Sequence, residues 1–135
     1  MRLLIDANVL LDVLQNRQPH AEDSSKVWKL CETEQAEGYI SALTIANLMY
    51  IMRRQLEPDA IEHILQSLSL IFRMTDLCVA DIAHAASMKW DDFEYAVQAS
   101  TAERIHADYI ITRNVRDFKK SRIIAFTPSE FLARL

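Results

Sequence analysis

The chain has 135 residues, half of them apolar, with 1 Gly, 3 Pro and 2 Cys and a formal net charge of −4. That length makes one domain, 1–135, able to bury a core without disulfide or metal staples. The acidic balance excludes a blanket electrostatic grip on nucleic acid, and the absence of an apolar run of about 20 residues excludes a membrane span.

The chain opens on an apolar run, Leu3-Leu4-Ile5, that reads as a buried strand, with Asp6 at its C-terminal end and Asn8 two residues on. Open α/β sheets place ligands and chemistry at that edge. A carboxylate followed by an Asn suits a hard cation there, and equally suits a cap for the helix that follows. Val9, Leu10, Val13 and Leu14 make that helix a short one. Helical spacing resumes from Ala21 to about Glu37, capped by Asp23, Ser24 or Ser25, and Gly38 stands where this helix should stop. Tyr39–Ala42 is a short strand, Leu43–Gln55 a helix with Asn47 one turn in, and Pro58 opens a helix to Phe72. Met74–Val79 reads as a strand and Asp81 as the cap of the helix through Met88. Asp92–Ala107 is a helix with a small face, Ala96, Ala99 and Ala102. Tyr109–Thr112 is the clearest buried strand, Ile123–Ala125 a last short one, and Pro128–Leu135 a closing helix. Short strands separated by helices predict a three-layer α/β/α domain on a central parallel sheet.

In such a sheet Asp6, Asn47, the Asp91-Asp92 and Glu94 group, Asn114 and Asp117 all fall on one edge. This oxygen-only set suits Mg²⁺ or Mn²⁺, and no zinc cluster, Ser/His/Asp constellation or Gly-rich phosphate loop is visible. His20, His63, His84 and His106 have no partner at a telling spacing, and Cys31 and Cys78 read as reduced, packed thiols. Arg113, Arg116, Lys119, Lys120 and Arg122 crowd one stretch, either a solvated loop or a phosphate-facing patch. Trp28, Met49, Tyr50, Met52 and Phe72 either pack internally or also serve a dimer contact.

The segments LLIDANVLLDVL, SALTIANLMYIMRR, WDDFEYAVQASTA, ADYIITRNVRDF and FTPSEFL, in this order, resemble the PIN-domain family, closest to the small stand-alone bacterial PIN proteins that include VapC-like toxins. The resemblance implies a PIN-like parallel sheet and metal-dependent RNA cleavage, on an acidic pocket of Asp6, Asp92 and Asp117. Asn8, Asn47, Glu94 and Asn114 would support it, and Arg113, Arg116, Lys119 and Lys120 would hold the RNA backbone. It also implies an antitoxin partner and a homodimer, while the two widely spaced thiols suit a reducing cytoplasm. Two positions depart from the family pattern: Asn47 stands where many members carry Glu, and Tyr95 replaces the second Asp of Asp-Phe-Glu-Asp. Glu94, on helical geometry, points about 100° from the direction of position 95. The remaining carboxylates predict one partly hydrated Mg²⁺ or Mn²⁺, a second ion not being expected, and weakened cleavage. The alternative is a PIN-fold module that binds RNA or a protein without cutting.

Overall fold

A computed structural model describes residues 1–135. The elements in chain order are β1 Arg2–Ile5, α1 Ala7–Leu14, α2 Ala21–Glu32, β2 Glu37–Ser41, α3 Ala42–Met52, α4 Pro58–Ile71 and β3 Arg73–Thr75. There follow α5 Val79–Met88, α6 Phe93–Arg104, β4 Tyr109–Ile111, a 3₁₀ turn at Val115–Phe118, β5 Ile124–Phe126 and α7 Pro128–Leu132. The five strands form one parallel sheet in the order β3-β2-β1-β4-β5.

Alternation along the strands builds the three layers. Leu3, Ile5, Ile40 and Ile111 face a cluster with Val9, Leu10, Val27, Leu48, Leu68, Phe72 and Phe131 from α1, α2, α3, α4 and α7. Leu4, Ile110 and Ala125 face the other way, onto Ala99 and Ala102 of α6 and onto Phe118. Ala85, Ala96 and Val97 seal α5 against α6. Covering both faces is what a parallel sheet requires, and small residues on α6 let it lie close to the strands. No helix is long and apolar enough to cross a membrane.

Several local expectations fail for physical reasons. Gly38 lies inside β2, not at a helix end, because a Cβ there would stand 2.6 Å from Cys31 Sγ and 2.7 Å from the Phe72 ring. The helix before it stops at Glu32, leaving a short turn. Its N-cap is His20, without a side-chain hydrogen bond, because Ser24 is turned inward to donate to Asp12 Oδ2 at 2.9 Å. Cys78, not Asp81, caps α5; Asp81 is three residues in, accepts from the Cys78 N–H and is buried against Arg104. His84, read as a surface or satisfied residue, is exposed and pairs with Glu103 at 3.3 Å.

The strand order has one consequence for chemistry. The chain runs outward from β1 through β2 to β3, then returns to β1's other side with β4. Order therefore reverses between β1 and β4, and open α/β sheets bind ligands in the crevice outside the strand ends at such a point.

Candidate functional site

Asp6 and Thr112 leave the sheet side by side at that reversal, because Ile5 pairs with Ile111 and the Asp6 N–H bonds the Ile111 carbonyl at 2.9 Å. The Asp6 carboxylate is held hard. Its Oδ1 accepts from Ala7 N at 2.8 Å; its Oδ2 accepts from the Thr112 hydroxyl at 2.7 Å and from Asn8 Nδ2 at 3.3 Å. Asp6 thus caps α1 and belongs to the site together, so the two sequence readings were never exclusive. Asn8 also accepts from the Arg113 N–H at 3.1 Å, and Thr112 accepts from the Asn114 N–H at 2.9 Å. The loop after β4 is therefore strapped to the loop after β1.

A cleft of about 420 Å³ opens over Asp6, between α1, α3 and α6. Asn47, from α3, and Glu94, from the first turn of α6, meet across it in a short hydrogen bond donated by the Asn47 amide. Burial pushes the Asp6 carboxyl above its ordinary value, against the Thr112 and Ala7 hydrogen bonds and the Arg113 charge, while Asp117 pushes the same way. Glu94 is raised as well, by desolvation first and then by the charges of Asp92 and Asp6. Both carboxylates are raised first by burial, and the neighbouring acids push the same way.

Asp92 and Asp117 lie elsewhere. They line a neighbouring cleft of about 290 Å³ with Asp91, Trp90, Arg116, Lys119 and Lys120. Asp92 spends one carboxylate oxygen capping α6, on the Tyr95 N–H at 3.2 Å. Tyr95 is the partition: its ring meets Phe118 edge-on at 5.0 Å and its hydroxyl accepts from Asn114 Nδ2 at 2.6 Å. The phenol is raised above its usual pKa by burial and by Asp6, Asp117 and Asp92, so all three acids lie within electrostatic reach of it.

Of the expected trio, Asp6 lines one cleft and Asp92 and Asp117 line the next. No three Asp, Glu, His or Cys side chains stand close enough to hold one ion. Glu94, expected to point away, lines the Asp6 cleft with Tyr95, because α6 begins at its mouth. The donor set of that cleft is two carboxylates with the amides of Asn8, Asn47 and Asn114. Asp6 uses three of about four lone-pair sites on hydrogen bonds, and Glu94 keeps an oxygen without one. Such a set fits a single Mg²⁺ or Mn²⁺ that keeps several waters, and not a pair of ions.

The basic stretch divides in the same way. Arg113 is anchored inward: its Nε donates to Asp12 Oδ2 at 2.9 Å, and Asp12 is fully buried with its other oxygen unpartnered. Arg116, Lys119 and Lys120 have no ion pair and rim the second cleft. Arg122 reaches Glu103 at 3.9 Å.

Four participants escaped the sequence reading as site residues. Thr112 is fully buried and bonds Asp6; a hydroxyl ending the strand beside the acidic one was the available signal. Gln98, the buried amide on the alanine-rich α6, accepts from Ser41 at 2.7 Å, donates to Thr44 and lines the cleft. Arg17 and Tyr50 line it too, and no sequence pattern pointed to either as part of the site.

A PIN-domain family model matches residues 2–116. No match is found among well-characterised protein sequences. Among solved structures, VapBC2 from Rickettsia felis, bound to a fragment of its promoter DNA, superposes with a TM-score of 0.71 at 14% identity, covering 94% of this chain and 98% of that one. FitAcB from Neisseria gonorrhoeae gives 0.69 at 21% identity, covering 94% and 98%. VapC20 of Mycobacterium tuberculosis, a toxin that cleaves the sarcin-ricin loop, gives 0.65 at 10% identity, covering 80% and 86%. At these identities the likeness is one of fold.

Proposed function

The chain belongs to the PIN-domain family, and on that premise we propose that it is a metal-dependent RNA endonuclease, the toxin half of a toxin–antitoxin pair, working from the Asp6–Glu94 cleft. The observation that carries the reading is that these two carboxylates, both of raised pKa, line one cleft at the point where strand order reverses. Asp6 and Glu94 would hold one hydrated Mg²⁺ or Mn²⁺, with Asn8, Asn47 and Asn114 orienting them or its waters. The chemistry a divalent ion supplies to phosphodiester hydrolysis is activation of water and stabilisation of the leaving oxygen. Asp92 and Asp117, one cleft away, add negative field without direct ligation. Arg116, Lys119 and Lys120 grip the RNA backbone through phosphates, which sets position without reading sequence. Arg113 serves as an anchor that fixes the loop carrying Asn114.

The toxin assignment draws on the toxin–antitoxin complexes among the structural neighbours. An antitoxin encoded elsewhere and a homodimer are the expected partners. The exposed Leu65 and Leu70 of α4 and Val79 and Ile82 of α5 are apolar surface that such contacts would cover. The cytoplasm is the compartment in which such a toxin meets its RNA.

One observation favours a second reading, a module that binds RNA or protein without cutting it. Tyr95, pinned by Asn114 and Phe118, keeps the acids apart. An RNA cleavage assay across Mg²⁺ and Mn²⁺ separates the two, with Asp6→Asn and Tyr95→Asp beside the wild type. Cleavage by wild type that Asp6→Asn abolishes upholds the enzyme; cleavage by Tyr95→Asp alone upholds the module.

A further inference from the structure

We infer that the outer half of the Asp6 cleft is a nucleobase subsite in which Tyr50 stacks on one base of the bound strand and Arg17 takes an adjoining phosphate. The inference rests on the reading that the protein acts on RNA, and it assigns the residues that choose where along the strand the cleft closes.

Tyr50 is 65% exposed, a large aromatic surface with no packing role in the core. It follows Asn47 by three residues on α3, and Ile51 follows by four, so the three form one stripe facing the cleft. Arg53 stacks its guanidinium 3.9 Å from the centre of the Tyr50 ring and is tethered to the Tyr50 carbonyl at 2.8 Å. Tyr50 lines the cleft and Arg53 does not, so the stacked cation sits outside the wall that the ring helps to form. A cation behind the ring restricts its motion, which lowers the entropy lost when a base stacks in front. Tyr95, the wall nearest the carboxylates, is fixed at both ends by Phe118 and Asn114.

The remaining lining matches a nucleotide's other parts. Arg17 has no carboxylate partner; its Nε donates only to Gln15 at 2.9 Å, leaving the outer guanidinium nitrogens for an anion. The amides of Asn47 and Asn114 offer edges to a base. At about 420 Å³ the cleft lies within the range of about 300–1,000 Å³ that small organic ligands occupy. Aromatic stacking, an arginine and amide edges are the usual means of holding an unstacked base. Arg17 lines this cleft and Lys119 and Lys120 line the neighbouring one, so each cleft offers a cation to the phosphates of a bound strand.

The test is fluorescence anisotropy of a fluorescein-labelled RNA hexanucleotide, in EDTA so that nothing is cut, beside an analogue whose central residue lacks its base. Tyr50→Ala is expected to weaken hexanucleotide binding about tenfold, within what one stacked base contributes. Tyr50→Phe should stay within about twofold of wild type, since the ring is retained. The abasic analogue should bind wild type and Tyr50→Ala alike. Arg17→Gln should reduce the slope of log affinity against log salt by about one. Hexanucleotide binding that survives Tyr50→Ala, while wild type cleaves RNA in Mn²⁺, overturns this inference alone. No binding by wild type, with no cleavage, overturns the RNA reading as well.

Discussion

Replacing Tyr95 by Asp tests how the site is partitioned. The substitution removes the edge-on contact with Phe118 at 5.0 Å and the hydrogen bond from Asn114 at 2.6 Å. An aromatic pair contributes roughly 0.5–1.5 kcal/mol and a hydrogen bond about 1 kcal/mol, so the loss is about 2–3 kcal/mol with the buried ring area included. It also sets a new carboxylate within reach of Asp6, Asp92 and Asp117, which adds repulsion while no cation is present. For a domain of this size 1 kcal/mol moves Tm by roughly 3–4 °C, so metal-free Tyr95→Asp should melt about 7–10 °C below wild type. Excess Mn²⁺ reverses the order of sensitivity. A site filled at a hundred times its Kd stabilises by about 2.7 kcal/mol, and the variant with the added carboxylate should gain more from a given Mn²⁺ concentration than wild type does. Differential scanning fluorimetry in EDTA and in a Mn²⁺ series reads both effects. A variant that melts with wild type in EDTA, or gains no more than wild type from Mn²⁺, refutes the view that Tyr95 holds the acids apart.

Gly38→Ala forces a methyl group against Cys31 and Phe72 and should cost about 1–3 kcal/mol by thermal or urea melts, with Cys31→Ala in the same chain recovering part. Arg113→Ala leaves the buried Asp12 charge unpaired and should cost about 3–5 kcal/mol, whereas Arg116→Ala should change stability by less than about 0.5 kcal/mol and weaken RNA binding. Raised folded-state carboxyl pKa values mean the folded protein binds more protons than the unfolded chain as pH rises past the ordinary carboxylate range. Asp6 and Glu94 therefore subtract stability from that range upward, and subtract nothing below it. Glu94→Gln should then raise the metal-free Tm at pH 7 and leave it unchanged at pH 3.5, as followed by melts at both values.

The layered fold was legible because its signals are local. Three apolar residues ending in Asp6, the Tyr109–Thr112 run and the Ala96–Ala99–Ala102 stripe each signal an element that the fold buries. Gly38 misled because a glycine before a strand looks the same whether it ends a helix or makes room for a thiol and a ring from distant elements. The acids stand out in the sequence, but which of them line one cleft does not. Which carboxylates share a cleft depends on where α6 starts and which way the Tyr95 ring turns, and contacts with Phe118 and Asn114 decide that. Arg113 shows the same limit: charge spacing cannot reveal that Asp12, buried on the helix after the first strand, pairs with it.

The division of labour between the two clefts is read most directly by isothermal titration with Mn²⁺ at pH 7 on wild type and four single variants. One ion should bind per chain, lost in Asp6→Ala and Glu94→Ala and kept, at reduced affinity, in Asp92→Ala and Asp117→Ala. Binding that survives Glu94→Ala and vanishes in Asp92→Ala or Asp117→Ala would contradict the account.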